Sequence, residues 1–281
     1  MNVVYSIEDG VYAAALTPLH SDLNCDYEEL TKHCLDLMDR GCKGVVLFGT
    51  TGEGPSFSSL EKEETIRQVI LRGLDPGKII VGTGSSNLQD TVALVSSVLE
   101  YNCLACLISP PCFFKNITEE GVIAFYREVI KRVANPKLQV ILYHIPQYTG
   151  VPLTVYIVEK LCEEFPEVIV GLKESEGDLS LMKGVLKAVP RCKVFVGKEN
   201  LIPEAISLGA SGAICGMANL WPEIICSLYE KGEDLDSEKM FLSIGNRPFI
   251  ASCKALLAEK RGLNWRLVRP PLVPLSAVEI R

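Results

Sequence analysis

Histidine is scarce. The three present, His20, His33 and His144, stand far apart, which speaks against a metal centre built on imidazoles, and no metal is expected. Long apolar runs are also missing. None approaches the roughly 18 to 20 residues of a membrane span, and the N-terminus MNVVYSIEDG has neither the basic nor the apolar region of a signal peptide. A soluble, cytoplasmic chain with no membrane contact is therefore expected. Positive charge is in deficit: 28 Lys and Arg against 35 Asp and Glu give a net charge of −7. With no basic stripe to override that balance, nucleic acid is not an expected partner. Linkers are absent too, since no Ser/Gly/Pro-rich stretch or run of like charge divides the 281 residues. Cysteine is not scarce. Most of the eleven lie inside apolar runs, as Cys106 and Cys215 do, where a thiol acts as a small hydrophobe. Cys103 and Cys106 have CxxC spacing, but no second pair follows at zinc-ribbon distance. They read as core thiols in a reducing compartment.

What is abundant is alternation. Eight short apolar, β-rich segments recur: Val11–Leu16, Gly44–Phe48, Lys78–Gly82, Leu104–Ser109, Leu138–His144, Val168–Lys173, Lys193–Gly197 and Ser211–Gly216. Between them lie stretches with apolar residues three and four apart, from Tyr27–Arg40 and Leu60–Arg72 to Leu179–Ala188 and Leu201–Leu208. Strand and helix alternating eight times close most simply as an α/β protein of the (β/α)8 barrel type, residues 1–222. An open doubly wound sheet is the other arrangement, but no G-x-G-x-x-G follows the first strand. Residues 223–281 read as an appended helical region, with helices at Glu223–Lys231, Ser237–Ala251 and Ser252–Arg261. The closing RPPLVPL of 269–275 cannot be helical throughout.

In such a barrel the chemistry gathers where strands end. Lys173 ends the run Val168–Leu172. Alternation puts it on one face with Gly171 and Ile169, opposite Val168, Val170 and Leu172, and the glycine leaves room for a small molecule. Desolvation of an amine disfavours its ammonium form, and the neutral amine is what attacks a carbonyl to give an imine. A lysine leaving the sheet into solvent is the plainer reading. Tyr143 ends the fifth strand on the face of Ile141 and Gln139, where a phenol could move protons or simply fill the core. After the second strand, Gly49-Thr50-Thr51-Gly52-Glu53 offers amides and hydroxyls suited to a carboxylate, or a turn that caps the next helix.

Taken together, Gly49–Glu53, Tyr143-x-x-Pro146-x-x-Thr149-Gly150 and Gly171-Leu172-Lys173-Glu174 resemble the motifs of the dihydrodipicolinate synthase and N-acetylneuraminate lyase superfamily, in order and at similar spacing. The likeness runs through the barrel into the tail. It implies a homo-oligomer, usually a tetramer, in which pyruvate forms an imine on Lys173 with no cofactor. Thr51 and the main chain near Ile214 would hold the ketoacid carboxylate. Tyr143 would donate and accept the proton, positioned by the Thr50 hydroxyl.

Two departures bear on the substrate. Where the lysine-pathway synthases carry an arginine that grips the semialdehyde carboxylate, this chain has Tyr148, which cannot make that bidentate contact. Where they lend a tyrosine to a neighbouring subunit, it reads Pro110-Pro111-Cys112-Phe113-Phe114-Lys115. That form is more similar to the sugar-acid aldolases of the superfamily. Phe113 and Phe114 are expected at a subunit contact. Lys115, Lys198 and Glu199 line the mouth or stand solvated. The expected function is therefore a Schiff-base lyase that cleaves a 2-keto-3-deoxy acid to pyruvate and an aldehyde. The alternatives are 4-hydroxy-tetrahydrodipicolinate (dihydrodipicolinate) synthase and a non-catalytic ketoacid-binding barrel.

Overall fold

The computed structural model describes residues 6–245, 247–276 and 279; the start of the expected region 1–222 and the end of the expected region 223–281 lie outside them. Eight parallel strands close into a barrel in sequence order. They are β1 (Gly10–Ala14), β2 (Gly44–Leu47), β3 (Ile79–Gly82), β4 (Ala105–Ile108), β5 (Val140–His144), β6 (Ile169–Glu174), β7 (Lys193–Val196) and β8 (Gly212–Cys215). The surrounding helices are α1 (Tyr27–Asp39), α2 (Ser59–Leu71), α3 (Leu88–Glu100), α4 (Glu119–Val133), the single turn α5 (Pro146–Thr149), α6 (Val155–Glu164), α7 (Leu179–Ala188), α8 (Ile202–Ser207) and α9 (Pro222–Lys231). After these come α10 (Ser237–Ile244) and α11 (Phe249–Arg261). Among the described residues no helix is long and apolar enough to cross a membrane. The α9 helix, grouped by sequence with the appended helices, packs against α8 and β1 beside the closure of the barrel. Bidentate donation from Arg40 to Glu223, at 2.5 and 2.7 Å, fastens it to the end of α1.

Strand parity sorts the core into two layers. Outward residues such as Val45, Leu47, Val140, Leu142, Val194 and Val196 meet the helices. Inward ones, among them Val46, Ile80, Leu107, Ile141, Phe195 and Ile214, fill the barrel. On β6 this parity slips. Val140 pairs with Ile169 while the next residue, Ile141, pairs with Gly171, so Val170 is an extra residue with no partner of its own. A bulge of this kind inverts the alternation beyond it. Contrary to the strict alternation, Ile169 therefore faces the helices and Val170 packs on the inner cluster, while Lys173 still points inward beside Tyr143, its cross-strand partner. Gly171 has a different purpose from the one expected of it. A Cβ there would lie 2.7 Å from the carbonyl oxygen of Lys193, so the residue permits close approach of β7.

The expected helix Ser237–Ala251 is also interrupted. It ends at Ile244, with Gly245 at φ 56°, and α11 begins only after Pro248. A proline at that point has no N–H for the helical ladder and its ring obstructs the preceding turn. The break lets Phe249 turn toward the barrel, where its ring crowds Gly216 just past β8. A Cβ on that glycine would sit 2.5 Å from the ring.

Candidate active site

A cavity of about 740 Å³ opens at the carboxyl ends of the strands. Thr50, Thr51, Tyr143, Lys173 and Ile214, the five residues singled out in the sequence, all line it. At its floor Lys173 Nζ lies 3.3 Å from Tyr143 Oη and 4.3 Å from the centre of that ring. Tyr143 Oη is in turn 3.1 Å from Thr50 Oγ1. Lys173 and Tyr143 are only 4% and 6% exposed, and the amine is reached through the cavity that it lines. Amine, phenol and hydroxyl form a short polar chain facing the cavity, an arrangement that can bind a carbonyl and move a proton beside it.

The loop carrying the threonines is folded tightly. Glu53 N–H donates to Thr50 O and Gly54 N–H to Gly49 O, each at 3.0 Å. Thr17 Oγ1 donates to Gly52 O at 2.8 Å. Gly54 has no room for a side chain, since a Cβ would lie 1.9 Å from Phe48 O. The N-terminus of α2 is capped by Ser58, in a reciprocal capping box with Glu61, and not by this loop.

Several features of the site were not visible in the sequence. Glu199, expected either at the mouth or solvated, lines the cavity, and the bonds it makes were not foreseen: its carboxylate accepts the N–H groups of Gly216 at 3.0 Å and Met217 at 2.9 Å. Burial raises its pKa above the ordinary carboxylate range, and those amides and Lys173 oppose the rise. Asn219 fixes the same turn from behind, donating to Ala14 O and Gly216 O at 2.7 Å. Its Oδ1 accepts Leu16 N–H at 2.9 Å, so the buried His33 must donate Nε2–H to it across 2.8 Å. Burial pushes His33 down to about 4. The outer wall is built from the tail: Pro271, Leu272, Val273 and Leu275 reach the cavity from a segment that carries no strand or helix signal.

Other residues lie elsewhere. Lys115 points away from the mouth and holds the chain after β4 to the end of α5, donating to Cys112 O and, at 2.6 Å, to Thr149 O. Tyr148 stands at the rim, 67% exposed. Phe113 and Phe114 are exposed, their rings edge to face at 5.5 Å. Nine of the eleven cysteines are buried and none is in a disulfide. Among the described residues no cluster of His, Cys, Asp and Glu is placed to hold a metal.

Residues 8–279 match the Dihydrodipicolinate synthetase family. A lyase of Chloroflexus aurantiacus described as DapA-like is 34% identical, over 96% of this chain and 93% of its own. Among solved structures, dihydrodipicolinate synthase from Agrobacterium tumefaciens superposes with a TM-score of 0.92 at 29% identity, covering 97% of this chain and 96% of that one. The 2-keto-3-deoxygluconate aldolase from Picrophilus torridus gives 0.86 at 23%, covering 96% and 99%, a likeness of fold. Barrel, tail and cavity all fall within the matched residues, and the chain belongs to the dihydrodipicolinate synthetase family of aldolase-type lyases.

Proposed function

We propose that this lyase cleaves a 2-keto-3-deoxy acid reversibly to pyruvate and an uncharged hydroxyaldehyde through an imine on Lys173. The observation that carries the reading is the contact series Lys173 Nζ, Tyr143 Oη, Thr50 Oγ1 at 3.3 and 3.1 Å on the cavity floor. Lys173 Nζ attacks the ketone carbon, and Tyr143 Oη gives its proton to the departing hydroxyl, which leaves as water. The resulting iminium draws the electrons of the bond between the third and fourth carbons as that bond breaks. The proton of the fourth-carbon hydroxyl passes to the Tyr143 phenolate, which the Thr50 hydroxyl holds in place by donating to it. The enamine then takes a proton at its third carbon, and water releases pyruvate and the free amine. Oxidation state is balanced throughout, so no redox carrier enters. Thr51 and the main chain near Ile214 are assigned to the ketoacid carboxylate. The exposed Phe113 and Phe114 pair supports a subunit contact in a homo-oligomer, a tetramer by resemblance to the family, and the reading places it in the cytoplasm.

An uncharged aldehyde is favoured because the cavity is poor in cations. Among the described residues that line it, the only basic side chain besides Lys173 is Lys198, at the rim, while Glu199 contributes a carboxylate. Tyr148 occupies the place of the semialdehyde-gripping arginine. A second reading, 4-hydroxy-tetrahydrodipicolinate synthase, is favoured by the likeness to the Agrobacterium tumefaciens synthase at 29% identity.

Borohydride reduction with and without pyruvate, followed by peptide mass spectrometry, tests the imine. The expected result is a pyruvate-dependent adduct on Lys173, and its absence removes the reading. Turnover of a panel of 2-keto-3-deoxy acids, set against condensation of pyruvate with aspartate semialdehyde, then separates the two substrates.

A further inference from the structure

Behind the threonine loop, outside the chemistry above, lies a buried ion pair. Lys254 of α11 and Glu53 of the loop have fully buried side chains. Lys254 Nζ donates to Glu53 Oε1 and to Leu267 O at 2.6 Å. Glu53 Oε2 accepts the N–H of Arg269 at 2.7 Å. The pair thus has one end on the loop and the other on the start of the tail. Glu53 is also held in the left-handed region, φ 58° and ψ 27°, which costs a residue with a Cβ about 1 kcal/mol or more.

Both ends lead to the cavity. On the loop side, Glu53 N–H is bonded to Thr50 O, so a shift of Glu53 is carried to the hydroxyl beside Tyr143. On the tail side, Arg269 lays its guanidinium on the Phe57 ring at 3.8 Å. It also donates to Ser56 O, Leu23 O and Glu61. Two residues later the tail becomes the outer wall of the cavity. A buried ion pair is a weak source of stability, because well-packed apolar residues of the same volume serve as well or better. What it supplies is a directional link between two segments that each need a fixed place.

We propose that Glu53 and Lys254 are positioning residues of the lyase, their ion pair locking the threonine loop to the tail so that the carboxylate end and the aldehyde end of the cavity keep one arrangement. The proposal rests on the roles given above to Thr50 and Thr51. Its test separates position from stability. Glu53→Gln leaves an ammonium without its carboxylate and lowers Tm; the double variant Glu53→Gln with Lys254→Met removes both charges and recovers it. For wild type and both variants, Lys173 adduct formation is followed against pyruvate concentration, and amide hydrogen exchange is followed in residues 49–54 and 267–276 without ligand.

The expected result is a half-saturating pyruvate concentration raised roughly tenfold or more in both variants, with both segments losing protection together, even where Tm has recovered. If pyruvate affinity and protection return with Tm in the double variant, the pair is a stability element only and the proposal is overturned. Loss of protection in one segment without the other overturns it as well. Should Glu53→Gln fail to fold, the double variant carries the comparison. Should wild type form no adduct, the imine reading fails, and the exchange of the two segments still decides for or against the link.

Discussion

Lys173 and Lys254 are buried to almost the same degree, 4% and 0% exposed, yet their nitrogens have opposite surroundings. Lys254 Nζ is closed in by Glu53 and the Leu267 carbonyl. Burial lowers its pKa, and the Glu53 carboxylate works against that fall. Lys173 Nζ meets a phenol on one side and an open cavity on the other. Both side chains are buried, so burial alone does not distinguish a nucleophile from a tether. What distinguishes them is whether a carboxylate or a cavity faces the nitrogen.

The sharpest way to break this contrast is to remove each amine. Lys173→Ala should abolish the borohydride adduct and reduce turnover about 10⁴-fold or more, with Tm near that of wild type because the nitrogen holds no carboxylate in place. Lys254→Met should do the reverse. With the Glu53 carboxylate left buried, about 3–5 kcal/mol of stability is expected to go, read by urea unfolding, while an adduct still forms at high pyruvate. Equal stability of Lys254→Met and wild type would show that the pair holds nothing. A smaller effect sharpens the Lys173 side. Tyr143→Phe keeps the ring beneath the amine and removes the proton relay, so turnover should fall roughly 10²- to 10³-fold with the adduct retained. Wild-type turnover in that variant would leave Tyr143 as packing alone.

The same contrast explains what could be read from the sequence. Lys173, Tyr143, Thr50 and Thr51 sit at strand ends marked by apolar runs and glycines, and β-strand parity over two or three residues survives local irregularity. It failed at Ile169 and Val170 because Val170 is itself the unpaired residue and Ile169 lies before it, and nothing in their composition announces a bulge. Lys254 and Glu53 were illegible for a different reason. They are 201 residues apart, each looks like an ordinary charged residue in its own segment, and only the packing of α11 against the loop after β2 joins them. The helix through Pro248 was a misreading of available signals, since Gly245 and Pro248 both mark a stop. Glu199 was named for the mouth, but its partners left no signal, because they are two backbone N–H groups that every sequence has.

A third buried amine tests the contrast from a neutral position. Among the described residues, Lys62 on α2 is paired with no carboxylate and does not line the cavity. Its nearest partners are the Gly82 carbonyl at 3.4 Å and the Phe48 ring at 6.0 Å, and burial pushes it down to about 8. Below pH 8 it is charged in the folded and unfolded chains alike, and the folded state bears the full desolvation penalty. Between about 8 and the ordinary 10.5 the unfolded chain still holds a proton that the folded one has released, so this contribution rises with pH. Lys62→Met should therefore be more stable than wild type by of order 1–3 kcal/mol at pH 7, with the gap closing as pH approaches 10. Parallel urea titrations at the two pH values measure both quantities. A variant that is less stable at pH 7 would show that one carbonyl and one ring satisfy a buried ammonium. The Glu53 carboxylate would then be needed for the place it holds more than for the charge it neutralises.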